Sequence, residues 1–315
     1  MGRVFTSERC QQHAPPGFPE RPARLEAVLE GARAAGWESC EVGSHGQSAE
    51  AVQTLHAGSY VARFERAMER GDGLLDSADN PLSPGTWTAA WAAVDCSLAA
   101  ADWVAGGPGR QSFAAVRPPG HHAESGLAMG FCFFGNVALA ADHLIRVHGC
   151  QRVAVFDFDV HHGNGTQQLL EERGDVFFAS VHQYPFYPGT GAAEERGCGS
   201  GEGMTLNVPL PAGTDDEALR AALETTVLPD LRAFAPEIIL VSAGFDGWVD
   251  DPIGGWRLTE AVFTWLGAEL GRFAAEICEG RILTLLEGGY SLDGLRRLTE
   301  SYLRAVAAEA GAPSV

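Results

Sequence analysis

The stretch "VAVFDFDVHHGNGT", residues 153–166, runs from small, branched and aromatic residues into two carboxylates, two imidazoles and two glycines. Read as a strand, it puts Asp157, Asp159 and His161 on one face, opposite Ala154, Phe156, Phe158 and Val160. Burying even one unpartnered carboxylate is costly. Three polar groups at alternate positions need a common partner, and an Asp-x-His pair can grip one cation. Asp246, which follows the apolar run "IILVSAGF" (238–245), is the candidate third ligand. Two carboxylates and one imidazole leave a coordination position for water, as a catalytic metal site requires. Zinc suits this donor set, and ferrous iron or cobalt would too.

Short apolar runs of the same kind recur at 112–116, 152–158, 175–181, 237–244 and 281–288. Between them lie amphipathic helical patterns over roughly 85–105, 134–148, 215–234, 257–278 and 291–309. Near-continuous apolar strands alternating with helices predict a mostly parallel sheet covered on both faces, a three-layer α/β/α domain. Polar segments follow the strand ends: "RPPGHHAE", "DFDVHHGNG", "SVHQYPFYPGTG", "SAGFDGWVDDP" and "LEGGYS". Ligands bind at the carboxyl edge of such sheets, so these five loops are expected to build one site. The glycine-rich segment 188–203 leads into "MTLNVPL", a strand pattern, so a phosphate-cradling loop before a helix is excluded. An active-site loop is the expectation there.

No linker, repeat or long charge run divides residues 1–315, and a single catalytic domain is expected. All 22 basic residues are arginine and the net charge is −19, a poor balance for binding nucleic acid. It would attract cationic substrates at long range. The sequence lacks an apolar stretch long enough to span a membrane, and "MGRVFTSERC" lacks a signal peptide's apolar region, which predicts a cytoplasmic protein. Seven cysteines without a CxxC pair read as free thiols rather than zinc ligands.

Together "RPPGHHAE", "GFCFF", "DFDVHHGNGT", "YPGTG", "SAGFD" and "LEGGY" resemble, in order, the motifs of the histone deacetylase family, which includes bacterial acetylpolyamine amidohydrolases. The likeness runs from about residue 13 to 291 and implies the arginase–deacetylase fold. It implies one zinc held by Asp159, His161 and Asp246, and His121 and His122 as tandem catalytic histidines. His122 would serve as base toward a metal-activated water, and Tyr290 would stabilise the oxyanion. Asp157 would orient His121 and, with Ser180 and nearby carbonyls, hold a structural potassium ion. Phe131, beside Gly130, and Tyr187 resemble the aromatic walls of a substrate tunnel, and Asp79 of "SADNP" resembles a rim carboxylate that holds the substrate backbone.

Two positions depart from the common pattern. Asn164 stands behind His122 where some members carry Asp, and Phe18 stands where the family more often has His. "HHGNGT" is similar to the class II branch and its bacterial relatives. A binuclear ureohydrolase on the same fold would need further carboxylates where this chain has Gly163 and Trp248. A silent binding module would be expected to lack Tyr290 or a ligand, and all are present. In one polyamine-selective branch a Glu follows the Asp-Pro pair after the third ligand, and here that position is Ile253. The expected substrate is therefore acetyl-lysine in a peptide or protein, with acetylpolyamine the alternative.

Overall fold

In the computed structural model, residues 2–311 are described and form a single α/β domain. Its strands are β1 (Arg3–Thr6), β2 (Glu38–Glu41), β3 (Gln111–Ala114), β4 (Val153–Asp157), β5 (Val176–Gln183), β6 (Thr205–Leu210), β7 (Ile238–Ala243) and β8 (Ile282–Leu286). They make one sheet in the order β2-β1-β3-β8-β7-β4-β5-β6, with every pairing parallel. From β4 the chain runs outward to β5 and β6, then returns to place β7 on the other side of β4. The strand order therefore reverses at β4, the place where open α/β sheets form a crevice.

The helices are α1 (Ala23–Ala34), α2 (Ser48–Leu55), α3 (Gly58–Arg70), α4 (Thr86–Ala105), α5 (Asn136–Arg146), α6 (Asn164–Leu170), α7 (Asp216–Ala222), α8 (Leu228–Phe234), α9 (Glu260–Ile277) and α10 (Leu292–Ala310). Strand alternation sorts β4 between two cores. Ala154 and Phe156 join the cluster under α1, α9 and α10, whereas Val153 and Val155 join the one under α4 and α5. A third cluster around Tyr60, Phe64, Phe133 and Phe134 fastens α3 to α4 and to the loop after β3.

The opening stretch is corrected in one respect. β4 ends at Asp157, so Asp159 and His161 lie in the loop beyond it rather than on a continued strand. The carboxylates themselves end the strand. Asp157 Oδ1 accepts from the Asp159 N–H at 3.0 Å, and Asp159 Oδ1 from the His161 N–H at 2.9 Å. Such side-chain capture of the amide two residues ahead replaces ladder bonds with a turn.

Two further boundaries move. The helix expected from 257 starts at Glu260, because Leu258 bridges Trp248 and Thr259 is its N-cap. The pattern over 215–234 is continuous helix, but a π-helical turn at Leu223–Val227 joins α7 to α8. The sheet also contains β1 and the edge strand β2, whose "ESCE" has no hydrophobic signal.

Candidate active site

The loops after β3, β4, β7 and β8 bring His121, His122, Asp159, His161, Asp246 and Tyr290 to the carboxyl edge of the central strands. His161 Nδ1 lies 2.9 Å from Asp159 Oδ1 and 3.2 Å from Asp246 Oδ2. Asp159 Oδ2 accepts from the Gly288 N–H at 2.8 Å, and Asp246 Oδ1 from the Val160 N–H at 3.1 Å. Asp246 Oδ2 is buried without a hydrogen-bond donor. A side chain at Gly288 would run into both carboxylates, so the "GGY" backbone can come this close only as glycine.

These three groups suit a dication. Burial, then the nearby Asp159, pushes Asp246 up to about 7. Burial disfavours charge on His161 as well, yet Asp159 and Asp246 draw its imidazole up to about 9, so that a proton stands between two carboxylates. A metal ion with two oxygen donors and one nitrogen donor meets the same electrostatic demand and also satisfies the unpartnered oxygen.

The tandem histidines differ in character. His121 Nδ1 is 3.0 Å from Asp157 Oδ2; burial opposes its charge, but Asp159 and Asp157 raise it to about 10. His122 is held well below the usual imidazole range by burial and by the charges of His121 and His161. Its Nδ1 is 2.8 Å from Asn164 Oδ1, while Asn164 Nδ2 donates to Glu124 Oε1 at 2.8 Å. The Glu124 carboxylate can only accept, so the amide must present its oxygen to His122. That assigns the Nδ1–H tautomer and leaves Nε2 as a free base. Behind Asn164, then, stands the carboxylate that the sequence reading placed nowhere.

A cavity of about 250 Å³ leads to these groups. Its walls include Phe131, Phe186, Tyr187 and Ile253, with Tyr290 and His161 at depth. Phe186 stacks on His161 at 5.1 Å between ring centroids, Tyr187 stands edge-on to His122 at 5.1 Å, and Phe131 meets Tyr290 at 6.0 Å. Phe131 has φ of 68°, an uncommon conformation for a side chain of its size. "SADNP" holds it there: Asn80 Oδ1 accepts from the Phe131 N–H at 2.9 Å, and Asp79 Oδ2 from the Gly130 N–H at 3.1 Å. Asp79 lines the cavity, but Ser77 Oγ engages one of its oxygens and the Tyr187 hydroxyl donates to the other at 2.7 Å.

Further polar residues complete the site, among them Glu287 and Arg24, which the sequence reading passed over. Asp251 is buried and accepts from the Ile253, Tyr290 and Ser291 N–H groups at 3.0, 2.6 and 3.1 Å, fixing the tunnel wall to the backbone of Tyr290. Glu287 accepts from the Gly120 and His121 N–H groups at 2.7 and 3.1 Å. Its signal was available, since "TLLE" ends an apolar run in a carboxylate as "VFD" does. Arg24 lies 4.8 Å from the Tyr290 ring and donates to the Gly289 carbonyl at 2.6 Å. The Tyr290 phenol is pushed well above 10, chiefly by burial, and so remains a proton donor. Asp157 and Ser180 are register partners on β4 and β5. His182 Nε2 donates to the Gly191 carbonyl at 2.8 Å, so its Nδ1 accepts the Ser180 hydroxyl at 2.9 Å. The Ser180 lone pairs stay available to a cation.

The histone deacetylase domain matches residues 18–306. The chain is 41% identical over 270 residues to histone deacetylase 14, chloroplastic, of Arabidopsis thaliana, covering 82% of this chain and 64% of that protein. It is 36% identical to a probable deacetylase of Archaeoglobus fulgidus, covering 98% of this chain and 86% of the relative. In three dimensions it is similar to the acetylpolyamine aminohydrolase of Burkholderia pseudomallei, with a TM-score of 0.89, 30% identity, and coverage of 98% and 99% of the two chains. The chain belongs to the histone deacetylase family.

Proposed function

We propose that this chain is a zinc-dependent amidohydrolase that cleaves acetyl groups from amines, with acetyl-lysine in peptides or proteins as its preferred substrate. The observation that carries the reading is the meeting of Asp159, His161 and Asp246 with a neutral and a charged histidine and Tyr290, at the foot of an aromatic cavity. Zinc held by the three ligands would supply Lewis-acid polarisation of the amide carbonyl and a more acidic water. Asp157 and Ser180, with nearby carbonyls, would hold a potassium ion.

The remaining chemistry belongs to side chains. His122 Nε2 is the free lone pair that receives the proton of the attacking water. The Tyr290 hydroxyl donates to the carbonyl oxygen as it gains negative charge, and its backbone is fixed by Asp251. The proton held on His122 then passes to the amine nitrogen as the C–N bond breaks, giving acetate and free amine. His121 packs against His122 with ring centroids 4.0 Å apart, and its Nδ1, 3.0 Å from Asp157 Oδ2, fixes its orientation there.

The carboxylates near the mouth support a lysine carrier over a polyamine. Asp251 is engaged by three backbone amides and Asp79 by Ser77, Gly130 and Tyr187, while Ile253 presents an aliphatic wall. A polyamine's second ammonium would find the oxygens of these two carboxylates already taken by hydrogen-bond donors, and an aliphatic wall at Ile253. The net charge of −19 and the likeness to an acetylpolyamine aminohydrolase favour the second reading, acetylpolyamine hydrolysis. The seven cysteines, all free, fit a reducing, cytoplasmic setting. Among the described residues no helix is long and apolar enough to cross a membrane.

A kinetic panel on zinc-loaded enzyme decides between the two substrates. Acetyl-lysine peptides are expected to have the higher kcat/KM. Turnover of acetylspermidine or acetylputrescine at least about tenfold more efficiently than any acetyl-lysine peptide would overturn the preference.

A further inference from the structure

A second group of metal-ligating side chains lies at the opposite edge of the sheet. α4 runs directly into β3 and α5 into β4, so the C-terminal ends of both helices stand at the amino edge of the strands. There Asp102 of α4 receives three imidazoles. His45 Nε2, from the loop before α2, is 2.9 Å from Asp102 Oδ2. His143 Nε2 of α5 and His148 Nε2, two residues beyond that helix, are each 2.7 Å from Asp102 Oδ1. One donor atom from each of His45, Asp102 and His143 falls within 4.8 Å of the others.

Three features distinguish this cluster from ordinary surface pairing. The first is convergence: three histidines, from the loop before α2, from α5 and from the segment after it, aim the same nitrogen, Nε2, at one carboxylate on α4. The second is His143, which is fully buried and whose Nδ1 has no partner. Its only polar contact is directed into the cluster, so its burial is not explained by hydrogen bonding on both sides. The third is that the His45 loop is itself fastened to α4. Asp95 accepts from the His45 N–H at 2.9 Å and from Ser48 Oγ at 2.6 Å, which sets the imidazole before any ligand arrives. The cluster grades from buried His143 to the partly exposed Asp102 and the exposed His148, leaving an open side for entry and for water.

We propose that His45, Asp102 and His143, with His148 at the rim, form a second metal site for a divalent first-row transition ion such as zinc. Imidazole nitrogens with one carboxylate exclude a preference for magnesium or calcium, which take oxygen ligands. A bound ion would tie the loop before α2, α4 and α5 together, so its role is structural and independent of the hydrolytic centre.

The test uses the full-length chain carrying Asp159→Asn and Asp246→Asn, which disables the first site. After chelation and dialysis it is titrated with zinc, and bound metal and Tm are both measured. The expected result is one zinc per chain and a raised Tm, with affinity weakened at least tenfold by His45→Gln or by His148→Gln, both at the accessible side of the cluster. In the otherwise native enzyme, Asp102→Asn is expected to remove one of two zincs while hydrolysis continues. No zinc bound by the disabled chain, or equal binding after His45→Gln in a chain with unchanged circular dichroism, would overturn the proposal. The cluster would then be a carboxylate held by three imidazole N–H donors.

Discussion

Asn164 joins two groups of opposite demand, because its oxygen accepts from His122 and its nitrogen donates to Glu124. Asn164→Asp alone would put a carboxylate oxygen where the amide nitrogen stands, 2.8 Å from Glu124 Oε1. Two carboxylates so close share a proton, so His122 would meet little more negative charge than before. Adding Glu124→Gln removes that compensation and moves the charge from the outer position to the atom bonded to His122. At an effective dielectric of about 20, a unit charge at roughly 4 Å contributes about 4 kcal/mol, and one at roughly 8 Å about 2 kcal/mol. The difference, about 2 kcal/mol, raises the imidazole pKa by roughly 1.5 units. His122 must begin neutral to act as base, so a raised pKa moves the acidic limb of the kcat/KM profile to higher pH. The double variant is expected to shift that limb up by about one to two units, and Asn164→Asp alone by less than half as much. Glu124→Gln alone should lower it. The assay is kcat/KM against pH with zinc content measured in parallel. A limb unmoved in the double variant, with metal retained, would refute His122 as the titrating base.

Three other predictions follow from the same geometry. Tyr290→Phe should lower kcat roughly 10²–10³-fold with zinc still bound, and an unchanged kcat would show that the phenol does not hold the oxyanion. Ile253→Glu should move the ratio of kcat/KM values toward acetylpolyamines by about tenfold or more, near 1.4 kcal/mol, and an unmoved ratio would mean that the mouth does not read the carrier's charge. Burial lowers His56 to about 4, and its ring lies between the Glu124 carbonyl at 3.1 Å and the Gly135 N–H at 3.0 Å. Its folded pKa lies below the unfolded value, so its contribution is present above pH 6.5 and is lost as pH falls toward 4, at about 1.4 kcal/mol per unit. Urea unfolding at pH 7.5 and pH 5 should show His56→Gln narrowing the difference between the two by roughly 2 kcal/mol; an unaltered difference would contradict the assignment.

Local pattern made much of this protein legible before any coordinates. The alternation of apolar runs and amphipathic helices specified a covered parallel sheet, and carboxylates at the ends of apolar runs marked Asp157, Asp159 and Asp246, because buried charge is too costly to occur without a partner. The spacing of "DFDVHHGNGT" belongs to one segment, so it could be read from one segment. Other features join segments far apart in the chain, and only the tertiary structure decided them. Asp251 reaches the amide of Tyr290, Glu124 stands behind Asn164, Asn80 clamps Phe131, and Asp102 gathers His45, His143 and His148. The end of β4 was decided the same way, by side-chain oxygens taking the amides that a longer strand would have paired. A sequence states which groups must find partners. Which partners they find depends on distances across the chain, which are set when the sheet closes its two cores.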